Sequence, residues 1–314
     1  MTEVLSKYGS AYHVPVLVRE VLEYLGVSPG GLYVDGTLGG GGHTQAILEA
    51  SAPNGRVVAF DRDPEACAEA SKRLSAFGDR LTVINDNYAN VVKHIQDVDG
   101  WLVDAGVSSH QLDVAERGFS FREAGPLDMR MGDGPLLSEY LAQVEMPELA
   151  RVLGQYGEVK SAGRLARAIL ADFAEGKLTN TRELADMVER VVGHGAGSGR
   201  KTKMHPATLV FQALRIAVND ELSALEAAVT SIPEVVRTGG RAVFISFHSL
   251  EDRIVKNGFR DLTGMTEEIP RGLPVERPAP KVEILTRKPV MAKDDELSIN
   301  PRARSAKLRA VRVL

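Results

Sequence analysis

The chain has 314 residues, 44% hydrophobic and 25% charged, the make-up of a globular protein long enough for one elaborated domain or two. A net charge of -4 and a sequence pI near 6.0 exclude a global basic field, so any nucleic acid has to be met by a local patch. The single cysteine, Cys67, excludes an internal disulfide and a cysteine-based zinc cluster; no His-x-x-x-His pair occurs, no metal is expected, and no apolar run approaches the ~20 residues that span a bilayer, so a cytoplasmic protein is expected.

In chain order, PVLVREVLEYL (15 to 25) sets Val18, Val21, Leu22 and Leu25 on one helical face, with Pro15 near the start. LYVDGTLGGGGHT (32 to 44) begins as a strand ending at Asp35, passes through the consecutive glycines Gly39 to Gly42 and continues as a helix, HTQAILEA. Glycine lacks a side chain and tolerates positive φ, so such a run lets main chain come against a ligand. Strand, glycine turn and helix in that order form the mouth of an open α/β sheet. A P-loop needs Lys followed by Ser or Thr after its last glycine; His43 and Thr44 stand there, which argues against a nucleoside triphosphate. G-x-G-x-x-G fails too, because the third position from Gly36 is Leu38.

RVVAFD (56 to 61) predicts a second strand with Asp61 at its tip, where a carboxylate accepts hydrogen bonds from two ribose hydroxyls. No Lys or Arg occurs between Asp35 and Gly55, which suits a ribose-containing ligand without phosphate. Asp63 followed by Pro64 opens a helix, LTVIN (81 to 85) predicts a third strand, and GWLVDA (100 to 105) a fourth that carries Asp104. This rhythm predicts an α/β fold with a parallel, doubly wound sheet.

These residues carry a family resemblance. VDGTLGGGGHT resembles the first motif of S-adenosylmethionine-dependent methyltransferases, with Thr37 where the commonest version has its first glycine, and AFDRDPEA (59 to 66) resembles the second. Residues 103 to 131, VDAGVSSHQLDVAERGFSFREAGPLDMRM, closely resemble the signature of the 16S ribosomal RNA (cytosine-N4)-methyltransferases, the RsmH or MraW family. HVPVL (13 to 17), FISFHSLEDRIVK (244 to 256) and NPRARSAKLR (300 to 309) are similar to that family as well, so the resemblance runs nearly end to end. It implies a class I methyltransferase-like sheet, S-adenosyl-L-methionine as cofactor, and methylation of N4 of a decoding-centre cytidine, conventionally numbered 1402, in 16S rRNA of the small ribosomal subunit. It further implies cofactor contacts from Asp35, Gly40, Gly41, Gly42, His43, Asp61, Tyr88, Asp104 and Gln111, with HVPVL packed over the entrance. The Tyr88 ring, three residues past the third strand, is placed to stack on adenine or simply to lie at the surface. A methyltransferase of another substrate and an NAD-dependent oxidoreductase are the rival readings.

From about Arg117 to Ala217 strand signals stop and helical periodicity takes over, which predicts an all-helical insertion at 117–217 for substrate recognition, within a methyltransferase domain made of 1–116 and 218–314. Its glycine-rich HGAGSGRKTKMHP carries Arg200, Lys201 and Lys203, suited to RNA phosphate. HPATLVFQALRIAVNDELSALEAAV (205 to 229) reads as one long helix, GGRAVFISF (239 to 247) as a strand, SLEDRIVKNGF as a helix and KVEILTR as a strand. The last segment, NPRARSAKLRAVRVL, holds five basic residues and no acidic one; KLRAVRV reads as an edge strand, whose charge either blunts aggregation or grips RNA.

The exocyclic amine of cytosine is a poor nucleophile because its lone pair is delocalised into the ring. A catalyst has to hold it in line with the methyl group and draw its hydrogens out of conjugation. No Pro-Pro pair exists here; the place after the fourth strand reads Asp104-Ala105-Gly106-Val107-Ser108-Ser109. Asp104 is the candidate carboxylate against the cofactor and for the amine hydrogens, or else caps the turn that follows. Ser108 and Ser109 either donate to substrate or form that turn, and His110, where the family commonly has proline, receives no role. Phe119 and Phe121 are candidates to receive a base turned out of its stack, between Arg117 and Arg122; the alternative is that they are core residues of the insertion.

Overall fold

The computed structural model describes residues 7–9, 14–193, 205–264 and 278–314, which divide into a sheet unit (1–108 with 222–314) and a helical unit (109–221). The loss of strand signals in the sequence predicts the insertion at 117–217.

In the sheet unit, β1 (Leu32–Asp35), β2 (Arg56–Asp61), β3 (Leu81–Asn85), β4 (Val98–Asp104) and β5 (Val236–Ser246) run parallel in the order β3-β2-β1-β4-β5. The order continues through β8 (Lys307–Val313), antiparallel to β5, to β6 (Val282–Ile284); β7 (Val290–Met291) also pairs with β8. The fold is therefore α/β with the mostly parallel, doubly wound sheet that the sequence predicts, and it reverses its winding at β1 and β4, where such sheets bind ligands.

Both faces of the sheet are covered, and neighbouring residues within a strand go to opposite faces as the pleat demands. Val34, Val103 and Phe244 join one core with Ile232 of α10 (Glu221–Val235) and Phe259 of α11 (Ser249–Leu262). Tyr33, Leu102 and Ile245 join the other, with Val21 and Leu25 of α1 (Val18–Leu25) and Ile47 of α2 (Gly42–Ala50). Asp63 caps α3 (Pro64–Arg73) by accepting from the Glu65 N–H, as its place before Pro64 predicts.

The helical unit starts with the short α4 (Ser109–Asp113) and is built on α5 (Leu137–Gln143), α6 (Met146–Tyr156), α7 (Ala162–Ala174), α8 (Thr181–Val192) and α9 (Ala207–Asn219). Leu149, Leu153, Leu165, Ile169, Leu184, Val188, Val210 and Leu214 recur at helical spacing and fill its core.

Four expectations need correction. The helix expected over 205–229 is two, because Asp220 is left-handed (φ 49) directly after the buried Asn219, whose side chain accepts from the Met131 N–H and donates to the Met129 carbonyl. KLRAVRV is an interior strand: Arg309, expected at a half-exposed face, is buried and forms two hydrogen bonds with Asp252 of α11, at 2.7 and 3.3 Å. The helix expected over 15–25 starts at Val18, after a left-handed Leu17 (φ 54) whose N–H is taken by Glu296. The strand KVEILTR shrinks to Val282–Ile284, because the Ala310 N–H next turns to the Thr286 hydroxyl.

Candidate active site

The turn after β1 is built from its own main chain. Asp35, fully buried, accepts from the Thr37 N–H (3.1 Å) with one carboxylate oxygen and from the Thr44 hydroxyl (2.7 Å) with the other, so it clamps the glycine run from both ends. Within the run, Leu38 donates to the Phe60 carbonyl, Gly39 to Asp61 Oδ2 (2.8 Å) and Gly41 back to the Leu38 carbonyl. Gly39 and Gly41 are left-handed, at φ 47 and 74. A Cβ at Gly41 would meet Leu74 at 2.8 Å, and one at Gly42 would meet Pro15 at 2.7 Å. Those two positions thus need glycine for protein neighbours, whereas a Cβ at Gly39 would meet only the Thr37 carbonyl, at 4.0 Å, leaving room for a ligand.

Asp61, at the tip of β2, accepts from Gly39 and from the Asp63 N–H (2.9 Å). Burial pushes its carboxyl up to about 6, against those two donors, and the charges of Asp63 and Asp35 add to the rise. Each of its oxygens keeps a lone pair for a ribose hydroxyl. Tyr88 is half-buried and opens a turn capped by Asn87; its Cβ lies beside Gly36, where a Cβ would meet it at 3.1 Å.

Asp104 ends β4. Its N–H donates to the Thr37 hydroxyl (2.7 Å), so the threonine in place of the usual glycine ties the tip of β4 to the turn after β1. One oxygen of its carboxylate, Oδ2, is 3.3 Å from His43 Nε2, and the other, Oδ1, is buried with no hydrogen-bond partner among the described residues. Burial raises the carboxyl of Asp35 above its ordinary range; the charge of His43 and the two threonine donors act against the rise, and Asp104 adds to it. Next to this tip, Gly106 (φ +126) faces the Phe247 ring, 3.0 Å from where its Cβ would stand, and the buried Glu251 accepts from the Phe247 N–H (2.7 Å).

Asp35, the glycines, His43, Asp61, Tyr88 and Asp104 all lie in the sheet unit, at the carboxyl ends of β1, β2, β3 and β4. An orphaned carboxylate oxygen, a carboxylate with free lone pairs and an open glycine turn fit the ribose and the positive sulfur of the cofactor that the resemblance implies. Ser108 is the last residue of the sheet unit before the chain enters the helical one, where Ser109 opens α4 and Gln111 is buried. Phe119 is buried with Arg117 over its ring, and Phe121, packed against the core of the helical unit, stacks edge-on against Phe211 and beside His205. Arg200, Lys201 and Lys203 lie outside the described residues. Among the described residues no group of three or more His, Cys, Asp or Glu could hold a metal ion.

Sequence reasoning missed three contributors. Thr37 carried a signal, a hydroxyl where glycine is usual. Glu251 carried a local one, three residues after the helix-capping His248, and Glu296 carried none, since its partner Leu17 is brought to it by long-range packing.

The model of the MraW methylase family matches residues 10–314. Ribosomal RNA small subunit methyltransferase H of Geotalea uraniireducens is 47% identical over 309 residues, 95% of this chain and 97% of that protein. Its namesake from Anaeromyxobacter dehalogenans is 50% identical over 310 residues, 96% of this chain and 98% of that one. Among solved structures, an S-adenosylmethionine-dependent O-methyltransferase from Thermotoga maritima superposes with a TM-score of 0.41 at 10% identity, over 99% of this chain and 70% of that one. Matched over nearly its whole length by the family model, and at about half identity by such relatives, the chain belongs to the MraW methylase family and is a methyltransferase.

Proposed function

We propose that the protein transfers the methyl group of S-adenosyl-L-methionine to N4 of a cytidine in 16S rRNA of the small ribosomal subunit, at the decoding-centre position conventionally numbered 1402, in the cytoplasm. The cofactor supplies a methyl group on positive sulfur, which leaves with the carbon–sulfur electron pair. The chain's part is to hold and orient. Main chain at Gly39 to Gly42 lies against the nucleoside, Asp61 accepts from the ribose, Tyr88 faces the base, and Gln111 offers its amide. Asp104 favours the positive charge, accepts a hydrogen bond from the attacking amine and receives the one proton that the amine loses as the carbon–nitrogen bond forms. The helical unit recognises RNA, with Ser108, Ser109 and the Arg200 to Lys203 segment as contacts to substrate; Phe119 and Phe121 shape that unit from within.

The observation that carries this reading is Asp104 Oδ1, a buried carboxylate oxygen without a hydrogen-bond partner at the end of β4, in a chain whose relatives are named for small-subunit RNA methylation. Small subunits lacking the modification, incubated with protein and methyl-labelled cofactor, are expected to take up label at N4 of that one cytidine. Label elsewhere in the RNA rejects the position, and no label in RNA rejects the function.

A further inference from the structure

His43 is the second residue of α2, and its ring is buried, 5% exposed. Neither ring nitrogen has a hydrogen-bond partner among the described residues, although buried polar atoms are almost always paired. Asp104 of β4 stands 3.3 Å from Nε2, at ion-pair distance but without hydrogen-bond alignment. The charge of His43 also favours the ionised carboxyls of Asp35, from β1, and of Glu296, from α12 (Asp294–Leu297). Those two are already held, Asp35 by Thr37 and Thr44, Glu296 by the Leu17 N–H. The Asp104 carboxylate, by contrast, has His43 as its one ion-pair partner among the described residues. A carboxylate on one rotatable bond, with one oxygen unheld, points usefully only if something fixes the other.

We propose that His43 is a positioning residue for methyl transfer: its Nε2 holds Asp104 Oδ2, so that Oδ1 is presented to the amine and sulfur of the reacting pair. This rests on the function proposed above and deepens it. The geometry distinguishes substitutes, because a Gln side chain reaches as far as Nε2 while Asn stops near Nδ1. His43→Asn, whose amide stops short of Oδ2, is expected to lose kcat at saturating cofactor by about 10- to 100-fold, the scale at which a misplaced reacting group costs rate, and His43→Gln, which places an N–H within reach of Oδ2, to recover most of that loss. Wild-type kcat in His43→Asn, or equal losses in the two variants, would each overturn the proposal. A second measurement needs neither turnover nor a His43 variant: the imidazole nitrogen resonances of His43 are expected to differ between the wild-type protein and Asp104→Asn. Resonances that stay in place overturn the pairing. Because the nitrogen readout does not depend on methyl transfer, absence of label from RNA with the wild-type protein would remove the functional reading while leaving the His43 and Asp104 pair in place.

Discussion

Asp61 does two jobs with one carboxylate, since the oxygen that would meet a ribose also holds the Gly39 N–H. Asp61→Ala is therefore expected to weaken cofactor binding by about tenfold or more in calorimetry, as loss of charge-assisted hydrogen bonds worth about 1.5–3 kcal/mol; unchanged affinity would contradict the role. Its carboxyl is raised to about 6, chiefly by burial, with Asp63 and Asp35 facing it. The ionised form is the better acceptor, so affinity is expected to be full above pH 6 and to fall by up to about tenfold per unit below it, and Asp61→Asn is expected to flatten that dependence. The same shift runs the other way for stability: a carboxyl raised on folding stabilises at acid pH, and that contribution is lost as pH rises from the unfolded value through about 6. Thr37 offers a cleaner probe, because Thr37→Val leaves the Asp104 N–H without its acceptor while Thr37→Ser keeps it. The valine variant is expected to lose about 1–3 kcal/mol in urea unfolding and most turnover, the serine variant neither.

Which elements could be read from the chain depended on how local their causes are. The start of α3 was legible because Asp63 and Pro64 carry the cap and the first-turn preference by themselves, and the glycine turn was legible because a run of four glycines between a strand and a helix has few other uses. The break between α9 and α10 was not, since the apolar pattern continues in phase through it and the cause is Asn219 bonding to Met129 and Met131, far away in sequence. β8 misled for a related reason. An arginine in an alternating strand reads as solvated, and nothing near Arg309 announces the carboxylate of Asp252 on α11 that buries with it. Arg309→Ala is accordingly expected to cost about 3 kcal/mol, the lower end for removing one partner of a buried pair, and to loosen α11 from β8 by hydrogen exchange; a surface pair would cost under about 1 kcal/mol.

At the scale of the whole molecule, a net charge of -4 leaves RNA recognition to local patches. In the basic C-terminal segment Lys307 and Arg309 face Asp252, Arg312 faces Glu283, and Arg302 and Arg304 are exposed. Reversing both to Glu is expected to weaken subunit binding and to lower the salt slope of log K by about 1.4 if each meets one phosphate, with cofactor affinity unchanged; an unaltered slope would assign them to solubility alone. The candidate site, in contrast, was legible to the level of its acidic strand tips, glycine turn and His43, and not to the level of that imidazole's burial beside Asp104, because no local pattern distinguishes a buried histidine from an exposed one at the start of a helix. The account depends most on main chain after Asp35 and the carboxylates of Asp61 and Asp104 enclosing an adenosine with a transferable methyl group. A crystal structure of the protein with S-adenosylhomocysteine tests this most directly: the ribose hydroxyls are expected on Asp61, the nucleoside against Gly39 to Gly42, and the sulfur near Asp104. Nucleoside density anywhere else on the chain, or a ribose turned away from Asp61, would contradict it.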